Sequence, residues 1–115
     1  MRPTFVMSVA VSVLVGVACG NSTSTANSCG SSGANANVNT TSSNQFSPSS
    51  TNIVHGQSVC WQNSSSVTHT VTDDGAAFDA NLPVGQIFVH TYPSAGDFPY
   101  HCKIHAGMNG TVHVS

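Results

Sequence analysis

Three side chains with metal-binding atoms lie within seven residues near the C-terminus. The segment Cys102-Lys103-Ile104-His105-Ala106-Gly107-Met108 has the spacing Cys-x2-His-x2-Met. It offers a thiolate, an imidazole and a thioether between two strand-like runs, and a soft sulfur ligand beside nitrogen donors suits copper. A second imidazole is available from Val67-Thr68-His69-Thr70-Val71, another strand-like run. These residues are therefore candidates for one metal site.

The composition excludes some classes of protein and favours strands. Of 115 residues, 5% are charged, and Arg2 and Lys103 are the basic residues. Two basic side chains cannot neutralise a run of phosphates, which excludes binding to nucleic acid through a basic surface. Glu is absent, while Ser, Thr, Asn, Gly and Val dominate, a composition typical of strands and loops. We therefore expect an all-β domain.

The first residues have the pattern of an export signal. A basic residue at position 2 precedes an apolar run, Phe5 to Ala18, that is short for a membrane span but typical of a signal-peptide core. The sequence around Cys19 resembles a bacterial lipobox, so we predict a signal peptide at residues 1–18 and a lipidated Cys19. The protein would then be anchored to a membrane, in the periplasm or at the cell surface. Cleavage without lipidation, giving a secreted soluble protein, and an uncleaved anchor are the alternatives.

The remaining chain divides into a tether and a compact domain. Residues 19–36 are rich in Gly, Ser, Thr, Asn and Ala and lack the apolar surface that ordering requires, so we predict a flexible linker. Residues 37–115 contain short β-rich runs separated by Gly and Pro at intervals of roughly ten residues, which predicts a small antiparallel sandwich. A domain this small gains from a metal or disulfide.

From Val38 to Ser115 the sequence resembles the cupredoxins, specifically the small plastocyanin- and amicyanin-like proteins. The motifs that carry the resemblance are Phe46-x-Pro48, Gly56-Gln57-x-Val59-x-Trp61-x-Asn63, Thr68-His69-Thr70-Val71, Gly85, Phe88, Gly96-x-Phe98-x-Tyr100-His101-Cys102 and His105-x-Gly107-Met108-x-Gly110-Thr111-Val112. The resemblance implies a Greek-key β-sandwich of about seven to eight strands. It also implies one type 1 copper ion.

Carried over residue by residue, the copper ligands are His69, Cys102, His105 and Met108. The ligand loop has the short amicyanin-like spacing, with Ala106 where that family often has Pro. The edge of His105 would emerge through a small apolar patch lined by Ala106, Gly107 and Leu82-Pro83, and we expect Thr70 to orient the loop by a hydrogen bond.

The resemblance predicts a mononuclear electron-transfer protein rather than an enzyme. Its partners would be a redox donor and a redox acceptor, with the membrane reached through the lipid anchor, and it would act as a monomer. The alternative is an extracytoplasmic protein that binds or delivers copper. A multicopper oxidase needs His on both sides of the Cys, and Lys103 occupies one of those positions.

Besides the predicted lipidation site Cys19, two cysteines and four histidines lie outside the proposed ligand set. Export to an oxidising compartment favours a disulfide, so we predict a Cys29–Cys60 bridge from the tether to the sandwich; unpaired thiols or pairing between chains are the alternatives. Strand alternation places Cys60 on the outer face. The other histidines, which we expect to be structural or at the surface, are His55, His90, His101 and His113.

Overall fold

The computed structural model describes residues 28–115. The predicted signal peptide at 1–18, the predicted lipidation site Cys19 and residues 20–27 of the predicted tether lie outside the described residues. Within residues 28–115, no helix is long and apolar enough to cross a membrane.

Nine short strands and a single turn of 3-10 helix at Cys29–Ser31 make up the regular structure of residues 28–115. The strands are β1 (Ala36–Thr40), β2 (Phe46–Ser47), β3 (Ser50–Ile53), β4 (Ser58–Gln62), β5 (His69–Asp73), β6 (Asp79–Leu82), β7 (Ile87–Thr91), β8 (Gly96–His101) and β9 (Asn109–Val114). The resemblance predicts about seven to eight strands, and residues 28–115 contain nine. The two strands without a predicted run are β1 and β6, because both contain few apolar residues between polar ones.

The strands form two mixed sheets, and the all-β prediction is confirmed. One sheet has the order β2-β1-β4-β7, and the other has the order β3-β9-β8-β5-β6. The β1–β4 and β3–β9 pairs are parallel, and the other pairs are antiparallel. The antiparallel sandwich expected from the sequence is corrected to a mixed one, because β1 and β3 each run parallel to one neighbouring strand.

The two sheets pack around one aromatic-rich core. Trp61 on β4 is fully buried and lies 5.2 Å, centroid to centroid, from the ring of Tyr100 on β8. Burial also raises the pKa of the Tyr100 phenol to about 12. Alternation along β9 turns Gly110, Val112 and Val114 inward. Burial of these side chains supplies the main free energy that holds the sheets together.

The structured domain begins before residue 37, and this corrects the predicted tether boundary. A disulfide joins Cys29 to Cys60, with the sulfurs 2.11 Å apart. The Cys29 N–H donates to Oε1 of Gln62 at 3.0 Å, and the Asn35 N–H donates to the Ser58 carbonyl at 2.9 Å. Residues 28–36 are thus bonded to β4 and belong to the domain.

Cys60 lies on the outer face of β4, as predicted, but it is buried rather than exposed. Its exposed fraction is 0%, and that of Cys29 is 4%. Strand alternation did turn Cys60 away from the main core, but the segment around Cys29 covers it. The outer face of β4 therefore carries a second, smaller buried region.

Candidate metal centre

The predicted ligands come from one end of the sandwich. His69 is the first residue of β5, while Cys102, His105 and Met108 lie in the connection between β8 and β9. Because β5 pairs with β8 and β8 with β9, the strand start and the loop meet at the same end of one sheet. The topology therefore brings together residues that are more than 30 positions apart in the sequence.

Three donor atoms converge at this end. Nδ1 of His69 lies 3.1 Å from Nδ1 of His105. The Cys102 Sγ lies 3.9 Å from Nδ1 of His69 and 3.7 Å from Nδ1 of His105. All three atoms lie within 4.8 Å of one another, so a single ion could contact them together.

The ligand loop is closed by its own backbone. The Cys102 N–H donates to the Met108 carbonyl at 2.9 Å, and the Met108 N–H donates to the His105 carbonyl at 3.3 Å. Gly107 has φ of 78°, a left-handed conformation that costs a glycine little. These bonds fix the path of the loop without help from an ion.

Met108 is buried in this loop, with an exposed fraction of 1%, and it packs in the core cluster beside Cys102. A buried thioether at this position is compatible with a weak axial ligand. Its role as the fourth ligand stays a prediction.

Hydrogen bonds determine which nitrogen of His69 is free. Nδ2 of Asn63 donates to the carbonyls of Val67 and Leu82, at 2.7 and 2.9 Å, so its Oδ1 is an acceptor. The Ser65 hydroxyl lies 2.7 Å from that oxygen and 3.1 Å from the Val67 carbonyl. Both are acceptors, so the hydroxyl hydrogen is committed to one of them.

The Ser65 oxygen must then accept a hydrogen bond from His69. Its Oγ lies 2.8 Å from Nε2 of that ring, which therefore carries the proton. The lone pair of Nδ1 is left facing Cys102 and His105. A hydrogen-bonded second nitrogen of this kind orients metal-ligating histidines in many proteins. Asn63 lay within the resemblance motifs, but its hydrogen bonds and the role of Ser65 were missed, because serines are abundant in this chain and carry no distinguishing pattern.

Thr70 contacts the ligand loop twice. Its N–H donates to the Cys102 Sγ at 3.3 Å, and its Oγ1 accepts from the Lys103 N–H at 2.8 Å. The predicted hydrogen bond from the loop to the Thr70 side chain is therefore present. The Thr70 N–H donates to the sulfur atom that would bind the metal.

The electrostatic surroundings favour neutral imidazole and little water. His69 is fully buried. Desolvation is the main cause that lowers the pKa of its ring, and the nearby His105 lowers it further. Cys102 is 5% exposed. Lys103 pairs with Asp79 on β6, so its charge is directed along the sheet edge rather than into the site. This pairing also lowers the pKa of Asp79.

The remaining histidines do not join the site. His101 pairs with Asp74 at 2.6 Å, and His113 pairs with Asp97 at 2.7 Å. His55 is exposed in the turn after β3, and His90 is half-buried against the ring of Phe78. All four have the structural or surface positions expected from the sequence.

The chemistry of the donor set suits copper. Two imidazole nitrogens and one thiolate, with a buried thioether nearby, are the donors of a type 1 copper site. A structural zinc site would use four strong ligands, and the described cluster provides three. The residues therefore fit a single copper ion.

Comparisons with solved structures agree with the fold. No family model matches the chain, and no curated protein matches it. Among solved structures, it is similar to a novel purple cupredoxin from Nitrosopumilus maritimus, with a TM-score of 0.66 and 26% identity over 70% of this chain and 99% of that chain. It is also similar to a reduced Cu(I) form of an amicyanin variant, with a TM-score of 0.65 and 26% identity over 72% of this chain and 83% of that chain.

The fold is thus that of the cupredoxins, small β-sandwich proteins, and the predicted resemblance is confirmed. The chain is a cupredoxin-like protein of the blue-copper type, in which His69, Cys102 and His105 form the group that could hold one copper ion.

The apolar patch predicted around His105 needs one correction. Leu82 is fully buried and cannot line it, because its side chain belongs to the core. Pro83, Ala106 and Gly107 are exposed as predicted.

Proposed function

We propose that the protein is a mononuclear type 1 copper electron carrier, anchored outside the cytoplasm by a lipidated Cys19. The observation that carries the proposal is the convergence of His69 Nδ1, His105 Nδ1 and Cys102 Sγ within 4.8 Å. A bound copper ion would supply one-electron chemistry by changing between Cu(I) and Cu(II). The residues present hold the donors, exclude water and provide one exposed edge.

The scaffold restricts movement of the donors. His69 is held by Ser65, Cys102 by the Thr70 N–H, and the loop by its own backbone bonds. Donor atoms that the protein already holds in place would move little when the charge of a bound copper ion changes. Small rearrangement favours fast electron transfer and a reversible couple.

Among the four proposed ligands, His105 is the one with partial exposure. Cys102, His69 and Met108 are all 5% exposed or less, whereas His105 is intermediate. Its ring edge is therefore the shortest route between the site and a molecule docked at this end.

Exposed apolar side chains surround this end of the sandwich. The connections β4–β5, β6–β7 and β8–β9 all lie there, and they contain Val67, Val84 and Ile104, which are 44%, 50% and 54% exposed. We call these residues, with Pro83, Ala106 and Gly107, the loop-end patch. An apolar patch of this kind fits a transient redox partner.

The anchor and the domain are close along the chain. The disulfide at Cys29 fixes the start of the domain, and nine residue steps separate Cys19 from Ser28. Even fully extended, that segment spans at most about 30 Å. Membrane fractionation of cells that express wild type or Cys19→Ser tests this part: the variant should leave the membrane fraction, and an unchanged distribution would contradict the anchor.

An absorption spectrum of the copper-loaded protein tests the carrier function. Wild type should show intense visible sulfur-to-copper charge transfer and a reversible redox couple. Cys102→Ser should lose the band, while His55→Gln, which changes an exposed histidine, should retain it. A colourless protein that binds only Cu(I) would instead support copper binding or delivery.

A further inference from the structure

A cavity of about 360 Å³ lies at the end of the sandwich opposite the metal centre. His69 begins β5 and Asp73 ends it, which separates the two sites by about 13 Å along the strand. Residues of the cavity wall come from β5, the β5–β6 turn, β7, the segment between β7 and β8, and β8 itself. None of them is a proposed copper ligand.

Four neighbouring aromatic rings form part of the cavity wall. The rings of Phe78 and His90 are 4.5 Å apart, those of His90 and Tyr92 are 4.7 Å apart, and those of Tyr92 and Phe98 are 5.1 Å apart. All four side chains line the cavity. The faces of aromatic rings carry partial negative charge and attract cations.

The cavity wall also contains a carboxylate without a cationic partner. Asp73 is 6% exposed, and its Oδ2 accepts one hydrogen bond, from the Ala77 N–H at 3.1 Å. The other three aspartates each pair with a basic side chain. Among residues 28–115, no basic side chain forms an ion pair with Asp73, although it is the most buried of the four.

The neighbouring titratable groups do not supply the missing positive charge. Burial lowers the pKa of His90, so its ring is neutral at neutral pH. Burial also raises the pKa of Tyr92, so its phenol stays neutral, and its hydroxyl is buried with no hydrogen-bond partner. A buried carboxylate is costly without a counter-charge.

We propose that this cavity binds a small organic ammonium ion, such as a protonated primary alkylamine. The ammonium group would donate hydrogen bonds to Asp73, while the alkyl part would lie against Phe78 and Phe98. A hard inorganic cation would find one carboxylate among aromatic walls, whereas such ions prefer six or more oxygen ligands. The cavity volume falls in the range of small-molecule sites.

Titration of the purified protein with n-butylammonium chloride tests the proposal. At constant ionic strength, amide NMR signals around Ala77 should shift and saturate, with and without copper. Asp73→Asn keeps an acceptor for the Ala77 N–H but removes the charge, and it should weaken binding about tenfold. The matched control Asp74→Asn, at the adjacent exposed aspartate, should change the affinity less than about twofold.

The uncharged isostere 1-butanol and a second variant complete the test. 1-Butanol should bind at least about tenfold more weakly than butylammonium. Phe98→Leu should lower the affinity for butylammonium more than the affinity for 1-butanol. This variant tests the proposal even if Asp73→Asn fails to fold. Equal affinity for the two probes, displacement by potassium chloride at the same concentration, or no saturable shift would each overturn it. Because copper is not needed, failure of the carrier function leaves this result unaffected.

Discussion

The Ser65 hydroxyl oxygen lies 2.8 Å from Nε2 of His69, and it can only accept from that nitrogen. Its own hydrogen is committed to a carbonyl oxygen, either Oδ1 of Asn63 or the backbone of Val67. A side chain that no metal would contact thus fixes the protonation of a buried candidate ligand. The pattern Asn63-Ser64-Ser65, which looks like an ordinary polar turn in the sequence, is part of the candidate metal centre.

Removal of this hydroxyl should weaken copper binding. Ser65→Ala leaves His69 free to place its proton on Nδ1, which then cannot ligate, so we expect copper affinity to fall by about tenfold or more. Competition with a chelator measures the affinity. Ser65→Thr should restore most of it, and Ser66→Ala, at the exposed neighbour, should have no effect. An unchanged affinity in Ser65→Ala would refute the proposed orientation.

Thr70 should set the properties of the thiolate through the ligand loop. Thr70→Val keeps the N–H directed at Cys102 but removes the acceptor for the Lys103 N–H. The loop should relax, shifting the reduction potential and the energy of the charge-transfer band and lowering copper affinity about tenfold. Thr91→Val, which breaks a distant surface contact with Ser58, is the control. An unaltered potential and spectrum in Thr70→Val would discard this role.

The group of His69, Cys102 and His105 and the class of fold could be predicted from the sequence because they depend largely on local spacing. Cys102, His105 and Met108 share one short loop, and His69 lies in a run with strand composition. The supporting bonds could not be predicted. Asn63 and Asp79 act through partners from other strands, and the bonds of Ser65 depend on the conformation of its own loop. Their residue types are common in loops and give no signal of what folding places beside them.

The environment of Cys60 shows a different limit of sequence reasoning. Alternation along β4 correctly assigns Cys60 to the face opposite Trp61, but it cannot say what covers that face. The cover comes from Cys29–Ser31, in a segment whose composition is typical of a linker. A disulfide can hold in place a segment that has too little apolar surface to fold alone, and this effect cannot be predicted from amino-acid composition.

The disulfide should contribute substantially to stability but not to the site. The bridged cysteines are 31 residues apart, and a loop of this length corresponds to about 3–4 kcal/mol in the chain-entropy model. Cys29→Ala/Cys60→Ala should lower the free energy of unfolding in urea by about this amount, with an unchanged copper spectrum. Wild type reduced by dithiothreitol in its copper-free form should behave like the double variant. Equal stability of oxidised and reduced protein would contradict the prediction, as would two free thiols in addition to Cys102 on alkylation of the unreduced protein.

Acid should destabilise the copper-free protein partly through His90. Burial lowers the pKa of this ring below its usual 6.5, with Asp73 opposing the shift in part. Between the lowered pKa and 6.5, the unfolded chain binds a proton that the folded chain does not. The neutral ring therefore makes its full contribution to the free energy of unfolding above this pH range, and the contribution is lost as the pH falls through it. His69 acts in the same direction.

Replacement of the ring isolates the contribution of His90. His90→Phe retains the contacts with Phe78 and Tyr92 and should lose less unfolding free energy than wild type between about pH 7.5 and 5.5. His55→Gln, which replaces an exposed histidine in a turn, is the control and should lose as much unfolding free energy as wild type over this interval. The prediction fails if His90→Phe and wild type lose the same stability over this interval.

Electron exchange between two copies of the protein should depend weakly on salt. The loop-end patch around His105 carries no charge, and the nearby Lys103 is paired with Asp79. NMR line broadening in mixtures of oxidised and reduced protein measures the rate without knowledge of the natural partner. Ala106→Glu should slow exchange about tenfold at low ionic strength, because two like charges then meet, and salt should restore much of the rate. Ser94→Glu, at the opposite end of the sandwich, is the matched control. A steep salt dependence in wild type, or equal rates for the two variants, would show that the copies meet through another surface.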